Sequence, residues 1–410
     1  MSVPLTDSTA VGATAEKTLL LVGSIPGNRN VGQILLREML ACVDREQFVV
    51  AAMLDSKEAE QADPVVGTRV FERPHEHAKR MISGRMGGML AAAKRFRDYD
   101  PAIAALVNEI RDYAQANQID RVWAVLNMPS VMDVCAQLMK TLRVPLLAHV
   151  WDDVGHLSQQ RGLDAFSRWR IERRFGRLLA TAEHTAVIGE SMAASYTQRY
   201  GARCQIVRHG VSDSVVARGL PTSDEEFVIG FSGGMYCPSA WTAFQAALGK
   251  LGWKVGGKRV RLIVMSGQVT FSAQSPAQVE FLGWRDDEEV HARLSGCDLL
   301  YLPQPFEPAQ RELSELSFPT KLSAYVSTGR PILVHAPEYA SVSLFSHEHP
   351  VGVVCNSLVP ERLASVIEGL AIDAKLYAGA ASASAKVANT VLSRGSFHAQ
   401  VRTFLSGAGS

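Results

Sequence analysis

Two hydrophobic patterns alternate along the chain: short continuous apolar runs, and longer stretches with apolar residues at helical spacing. Residues 18–23 (TLLLVG) form a continuous apolar run bounded by turn residues. That pattern predicts a strand buried on both faces of a parallel sheet. After the loop 24–30, residues 31–40 have helical spacing and 48–54 read as a second strand. This is the opening β-loop-α-β of a doubly wound sheet. The alternation then continues with predicted helices over 102–117, 131–142, 166–179 and 191–200, and predicted strands over 121–126, 144–150, 185–188 and 205–208.

Between His209 and Glu226 the periodicity breaks at Gly210, Gly219, Pro221 and a polar run, which marks a domain boundary. The pattern restarts with a strand over 227–231, a Ser232-Gly233-Gly234 loop and a helix over 241–251. Strands over 259–265 and 279–282, a helix over 287–295 and a strand over 299–302 follow. The next stretch, 314–334, predicts a short helix from Pro319 to Gly329 that feeds a buried strand over 332–334. Pro tolerates the first helical position, Gly favours the position past the end, and Pro331 blocks continuation. The free N–H groups of that helix start, with Ser317, Thr320 and Lys321 beside them, suit an anion such as a diphosphate.

Two successive α/β units in 410 residues imply an α/β protein with two Rossmann-like domains facing a central cleft. Open α/β sheets bind ligands at the carboxyl ends of their strands, so the cleft is the expected site. His149, Asp152 and Asp153 stand at the carboxyl end of the 144–150 strand. A carboxylate there can serve as acceptor base or orient a hydroxyl. The alternative is that these aspartates cap the next helix.

Composition adds limits. The chain is 47% hydrophobic and 20% charged, with a formal net charge of +1, so no global field favours nucleic acid and none is expected as a partner. Its six cysteines are scattered without a C-x-x-C pair, which reads as reduced thiols in the cytoplasm. Residues 1–16 lack a basic start and an apolar core and are expected to be a flexible tail. The triplets His75-Glu76-His77 and His347-Glu348-His349 lie in polar connections with no further ligand cluster, so no metal is expected. Residues 76–97 form a basic segment in which Lys79, Arg80, Arg85, Lys94, Arg95 and Arg97 interleave with Met81, Ile82, Met86, Met89, Leu90 and Phe96. Such a segment suits an anionic membrane surface; the alternative is a surface helix packed on its methionine face.

Several motifs together resemble one family. Pro319-Thr320-Lys321-Leu322-Ser323-Ala324-Tyr325, running on to Gly329-Arg330-Pro331, resembles the P-x-K-x-x-E-Y signature of family 4-like glycosyltransferases with the GT-B fold. In order along the chain, Gly189-Glu190-Ser191-Met192 resembles the S-E-x-M turn of that family, and Arg208-His209-Gly210-Val211 its P-N-G-V stretch. Gly233-Gly234-Met235-Tyr236 resembles its second glycine loop, Phe281-Leu282-Gly283 its F-x-G turn, and 298–303 its A-D strand. The likeness is strongest over 185–370. Two departures stand out. The glutamates usual in the family would fall at Ala324 and near Leu316, where Glu312 or Glu315 is a possible stand-in, and the Arg and Lys usual after the second glycine loop would fall near Met235 and Ala240.

The resemblance implies a metal-independent, retaining glycosyltransferase without a cofactor, whose donor is a UDP- or GDP-sugar. It assigns residues 17–210 to the acceptor side and 211–394 to the nucleotide sugar, with 395–410 as a closing helix that crosses back. It places Asn28, Asn30 and Gly32 near the reacting sugar, Gly233, Gly234 and Tyr236 at the donor, Trp284 against the nucleobase, and Ser317, Pro319, Thr320 and Lys321 at the diphosphate. The expected acceptor is a saccharide, a lipid-linked saccharide or a small molecule, used in polysaccharide or glycoconjugate biosynthesis in the cytoplasm or at the inner face of the membrane. A nucleotide-sugar epimerase or hydrolase of the same fold, and a non-catalytic scaffold, are the alternatives.

Overall fold

The computed structural model describes residues 16–27, 31–60, 67–75, 84–210, 214–219, 223, 225–267, 269 and 278–407. Asn28, Asn30, the tail through Ala15 and residues 76–83 of the basic segment lie outside that set.

The first sheet is built from β1 (Thr18–Val22), β2 (Phe48–Leu54), β3 (Thr68–Glu72), β4 (Arg121–Val125), β5 (Leu146–His149), β6 (His184–Val187) and β7 (Cys204–Ile206). Its order is β3-β2-β1-β4-β5-β6-β7, and every pairing is parallel. The continuous apolar run of β1 follows from this central place. Leu19 and Leu21 face one cluster, with Ile110, Val134 and Phe175, while Leu20 and Val22 face another, with Leu36, Met39 and Trp123.

The second sheet holds β8 (Glu226–Ser232), β9 (Lys254–Val255), β10 (Lys258–Met265), β11 (Val279–Phe281), β12 (Leu299–Pro303), β13 (Ile332–His335) and β14 (Gly352–Cys355). The order is β11-β10-β8-β12-β13-β14, parallel except for the short β9 lying antiparallel to β10. In each sheet the strand order reverses beside its first strand, between β1 and β4 and between β8 and β12. Those switch points open crevices at the carboxyl ends. The loops after them carry Asn127, Gly233 and Gln304 into the cleft.

The last helix, Arg394–Ser406, is capped by Ser393 and ends at Gly407, whose φ is +68°. It packs Phe397, Val401 and Phe404 into the same cluster as Leu20 and Trp123, and Arg121 Nη1 donates to Leu405 O at 2.6 Å. The C-terminus is therefore tied to the first sheet.

Local differences from the sequence reading have physical causes. The helix expected from Pro319 has its helical residues at Lys321–Val326; Pro319 opens it only through a turn in which Leu322 N donates to Pro319 O at 2.9 Å. The helix ends at Val326 with Ser327 as its C-cap, earlier than Gly329; Gly329, at φ +67°, closes the turn that follows, and a Cβ there would clash with the Val216 carbonyl. The basic segment resolves into a helix, Gly84–Lys94, followed by a π turn, Arg95–Tyr99. Arg95 does not join the surface charges. It is buried, donates to Asp133 Oδ2 at 2.6 Å, and shares that carboxylate with Arg174. The apolar side of this helix is not packed away either. Met86 and Met89 are each 73% exposed.

Candidate functional site

Two cavities meet in the cleft. The first, of about 480 Å³, lies under the ends of β4 and β5; the second, of about 390 Å³, lies under the ends of β8 and β10. Val31, His209, Thr320 and Ser323 line both, so these four residues form the junction.

Gly233, Trp284, Thr320 and Lys321 line the second cavity. Lys321, at the start of its helix, turns back across the glycine loop and donates from Nζ to Gly234 O at 2.6 Å. The ammonium sits 4.6 Å from the Phe231 ring centroid and 5.1 Å from that of Tyr236. Desolvation there lowers its pKa to about 8. Gly233 suits this arrangement through its backbone, and a side chain there would push the lysine aside. Its φ is +89°, and a Cβ would come within 2.8 Å of Lys321 Cε. Gly234 has an ordinary backbone and its nearest neighbour, a Tyr236 ring carbon, is 3.9 Å from such a Cβ. Trp284 is exposed at the cavity mouth rather than packed in the core.

Gly32, His149, Asp152, Tyr236, Ser317, Pro319 and Thr320 line the first cavity. Gln304, buried at the end of β12, donates from Nε2 to Tyr236 OH at 3.4 Å. The Ser317 hydroxyl finds no partner among the described residues. His149 is buried against Trp123 and Phe404, its Nδ1 has no partner among the described residues, and burial lowers its pKa to about 3. It is a neutral imidazole at ordinary pH.

The two adjacent aspartates part company. Asp153 caps the helix Val154–Gln160, accepting from Gly155 N at 2.7 Å, and its other oxygen accepts from Tyr196 OH at 3.0 Å. It does not line the first cavity. Asp152 does, and burial raises its pKa, aided by the neighbouring Asp153 charge and opposed by His156. A carboxyl raised by desolvation beside a cavity has the character of a base or proton acceptor. Beyond His156 and Gln160 a third, polar groove of about 440 Å³ continues outward, lined by Gln159, Arg168, Glu172 and Gln310.

The positions of the usual glutamates are structural here. Leu316 is buried in the first domain's core cluster, and Ala324 lines the second cavity with only a methyl group. Glu312 pairs with Arg199 at 2.8 Å across the domains and lines the third groove, and Glu315 lies 3.5 Å from Arg311. Neither lines the first two cavities.

Several residues of the site escape sequence reading. The His209 ring nitrogens have no partner among the described residues, and burial lowers its pKa to about 4. Its carbonyl accepts from Ser323 Oγ at 2.7 Å. Arg208 stacks over Phe318 and Phe345, 4.7 Å from each centroid, and donates to Glu190 at 2.5 Å, joining the two domains. The P-N-G-V-like stretch containing both was the available signal. Arg37, Glu38 and Arg394 also line the second cavity, and no local motif marks them. Among the described residues, no three His, Cys, Asp or Glu side chains gather at one point.

Nearly the whole chain superposes on solved glycosyltransferases. The sucrose-phosphate synthase of Thermosynechococcus elongatus matches with a TM-score of 0.67 at 13% identity, over 96% of this chain and 99% of the other. HepE of Anabaena, solved with UDP-glucose, matches with a TM-score of 0.63 at 16% identity, over 95% and 99%. The lipopolysaccharide outer core galactosyltransferase WaaB matches with a TM-score of 0.59 at 10% identity, over 96% and 99%. No protein-family model matches the sequence, and no curated protein matches it. The chain has the GT-B fold.

Proposed function

We propose that this chain transfers a glycosyl group from a nucleoside-diphosphate sugar to an acceptor hydroxyl. The observation that carries the reading is the pair of cavities joined at His209 and Thr320. One has a lysine and a tight glycine turn on its wall, and the other an aspartate in a desolvated setting. That HepE was solved with UDP-glucose, on the same fold, supports a UDP- or GDP-sugar as donor.

In this reading the nucleotide occupies the second cavity, with the base toward Trp284 and the diphosphate toward Gly233, Thr320 and Lys321. The sugar projects into the first cavity. The acceptor oxygen attacks the anomeric carbon as the bond from that carbon to the diphosphate oxygen breaks. The acceptor proton passes to Asp152 or to the departing phosphate, and attack from the leaving-group face gives retention. Fixed donors aimed at the leaving group stabilise its growing charge without reorganisation, so neither a metal nor a further cofactor enters the scheme. Closure of the cleft limits hydrolysis.

The third groove, with its glutamines and the Arg168 and Glu172 side chains, suits a hydroxyl-rich saccharide acceptor. The outer faces of helices Gly84–Lys94 and Ala165–Thr181 suit an interfacial anchor for a lipid-linked one. Phe96, Phe166 and Trp169 are exposed together, with ring centroids 6.0 and 5.9 Å apart, and Arg170 and Arg173 lie over their faces. No described helix is long and apolar enough to cross a membrane. We place the enzyme at the cytoplasmic face, in polysaccharide or glycolipid synthesis.

Incubation with a panel of UDP- and GDP-sugars tests this. Release of free nucleoside diphosphate, by transfer or slow hydrolysis, is the expected result. Isomerised sugar without nucleotide release would replace transfer with epimerisation. Absence of any nucleotide binding would leave a scaffold.

A further inference from the structure

The second cavity has no cation at the two positions after the glycine loop. Met235 packs against the second sheet's core and Ala240 is buried in it. Lys321 alone, desolvated and with its ammonium tied to the Gly234 carbonyl, is a weak match for a diphosphate. The opposite wall carries what is missing. Glu38, on the helix Val31–Ala41, has a side chain only 8% exposed and lies 3.0 Å from Arg37 Nη2 and 3.7 Å from Arg394 Nε. His398 Nε2 is 3.8 Å from the same carboxylate. The two arginine side chains are 46% and 40% exposed.

Their position along the cavity follows from His209, which lines both cavities. The charges of Glu38, Arg37 and Arg394 all act on its ring, and that of Arg37 also reaches Asp287 near Trp284, so this trio stands between the Trp284 end and the junction. A donor spanning the two cavities would place its diphosphate there. We propose that Arg37 and Arg394, held in place by Glu38, form the diphosphate clamp of this chain, in the place of cations after the glycine loop; the proposal rests on the nucleotide-sugar reading above. A guanidinium presents a planar fork that matches phosphate oxygens two at a time. Arg37 belongs to the first domain and Arg394 to the helix tied to that domain, whereas Lys321 belongs to the second. A diphosphate held from both sides would draw the cleft together.

Calorimetric titration with UDP, GDP, the parent nucleosides and inorganic pyrophosphate tests the clamp on the full chain. Wild-type protein is expected to bind one of the two nucleotides, and pyrophosphate more weakly. In Arg37→Gln and Arg394→Gln the affinity for that nucleotide and for pyrophosphate falls about tenfold or more, while the affinity for the parent nucleoside changes little. The conservative Arg37→Lys keeps the charge, loses the fork and is expected to fall between, which keeps the test open if either Gln variant unfolds. If the wild type binds a nucleotide and these variants bind it as tightly, the clamp is wrong and the nucleotide-sugar reading stands. If the wild type binds neither UDP nor GDP, both fall.

Discussion

Lys321 reaches back from the second domain's short helix to donate a 2.6 Å hydrogen bond to the carbonyl of Gly234, so the glycine loop and the helix behave as one wall of the cavity. Removing the side chain leaves that carbonyl open to solvent at the cavity edge and removes one phosphate donor. Lys321→Ala is expected to weaken nucleotide binding about tenfold, the scale of a hydrogen bond to a charged group, with little change in thermal midpoint. Undiminished affinity in calorimetry would sink the assignment.

The same lysine sets a pH dependence. Desolvation holds its pKa at about 8, below the ordinary 10.5. The folded chain therefore releases this proton before the unfolded chain does. The penalty of the buried charge is fully present below pH 8 and is relieved as pH rises toward 10.5, so Lys321 favours the folded state increasingly across that window. Diphosphate binding depends on the ammonium and runs the other way. Affinity should drop between about one unit below and about one unit above that pKa in the wild type, and stay flat in Lys321→Ala. Calorimetry at several pH values reads both.

Gly233 and Gly234 separate backbone need from mere tightness. Gly233→Ala would strain a backbone at φ +89° and drive a methyl into Lys321 Cε. It should cost about 1–3 kcal/mol of stability and displace the lysine, weakening nucleotide binding. Gly234→Ala meets nothing closer than 3.9 Å and should leave the thermal midpoint unchanged. Equal effects of the two substitutions on melting would contradict the geometry.

Asp152 and Asp153 answer differently to the same chemistry. Asp153→Asn keeps a capping oxygen but weakens the contacts to Gly155 and Tyr196, and should lower stability by about 1 kcal/mol while turnover per folded molecule is retained. Asp152→Asn removes a desolvated charge from the first cavity. It should keep or raise stability and reduce turnover with little change in donor binding. Loss of turnover in the Asp153 variant alone would exchange their roles.

What the sequence made legible follows from range. The strand runs, the positive-φ turn at Gly329 and the glycine turn are local, and each can be read from a few neighbouring residues. Two Rossmann-like units facing a cleft were legible for that reason. The split between Asp152 and Asp153 was not, because it depends on which oxygen Tyr196 reaches. Nor was the cluster of Arg37, Glu38 and Arg394, since Glu38 and Arg394 come from opposite ends of the chain. Arg95 reads as one more surface charge until its partner Asp133, on another helix, is known.

That contrast within the basic segment yields the last prediction. Arg95 is paired and buried, so Arg95→Ala leaves the buried Asp133 carboxylate with Arg174 as its remaining partner and should cost about 1.5–3 kcal/mol, the scale of a lost hydrogen bond to a charged group. Its neighbour Phe96 points out to join Phe166 and Trp169, 53% exposed, beneath Arg170 and Arg173. Changing all three rings to Ser removes no core contact and should leave melting close to that of the wild type. If the patch meets lipid, the wild type will sediment with vesicles containing phosphatidylglycerol, release them at high salt, and ignore neutral phosphatidylcholine vesicles. The triple variant should lose sedimentation about tenfold or more, because insertion of apolar rings supplies most of the affinity that the arginines steer. Equal sedimentation of variant and wild type would leave the aromatic face without a lipid role, while the stability loss in Arg95→Ala would persist, since it depends only on the buried pair.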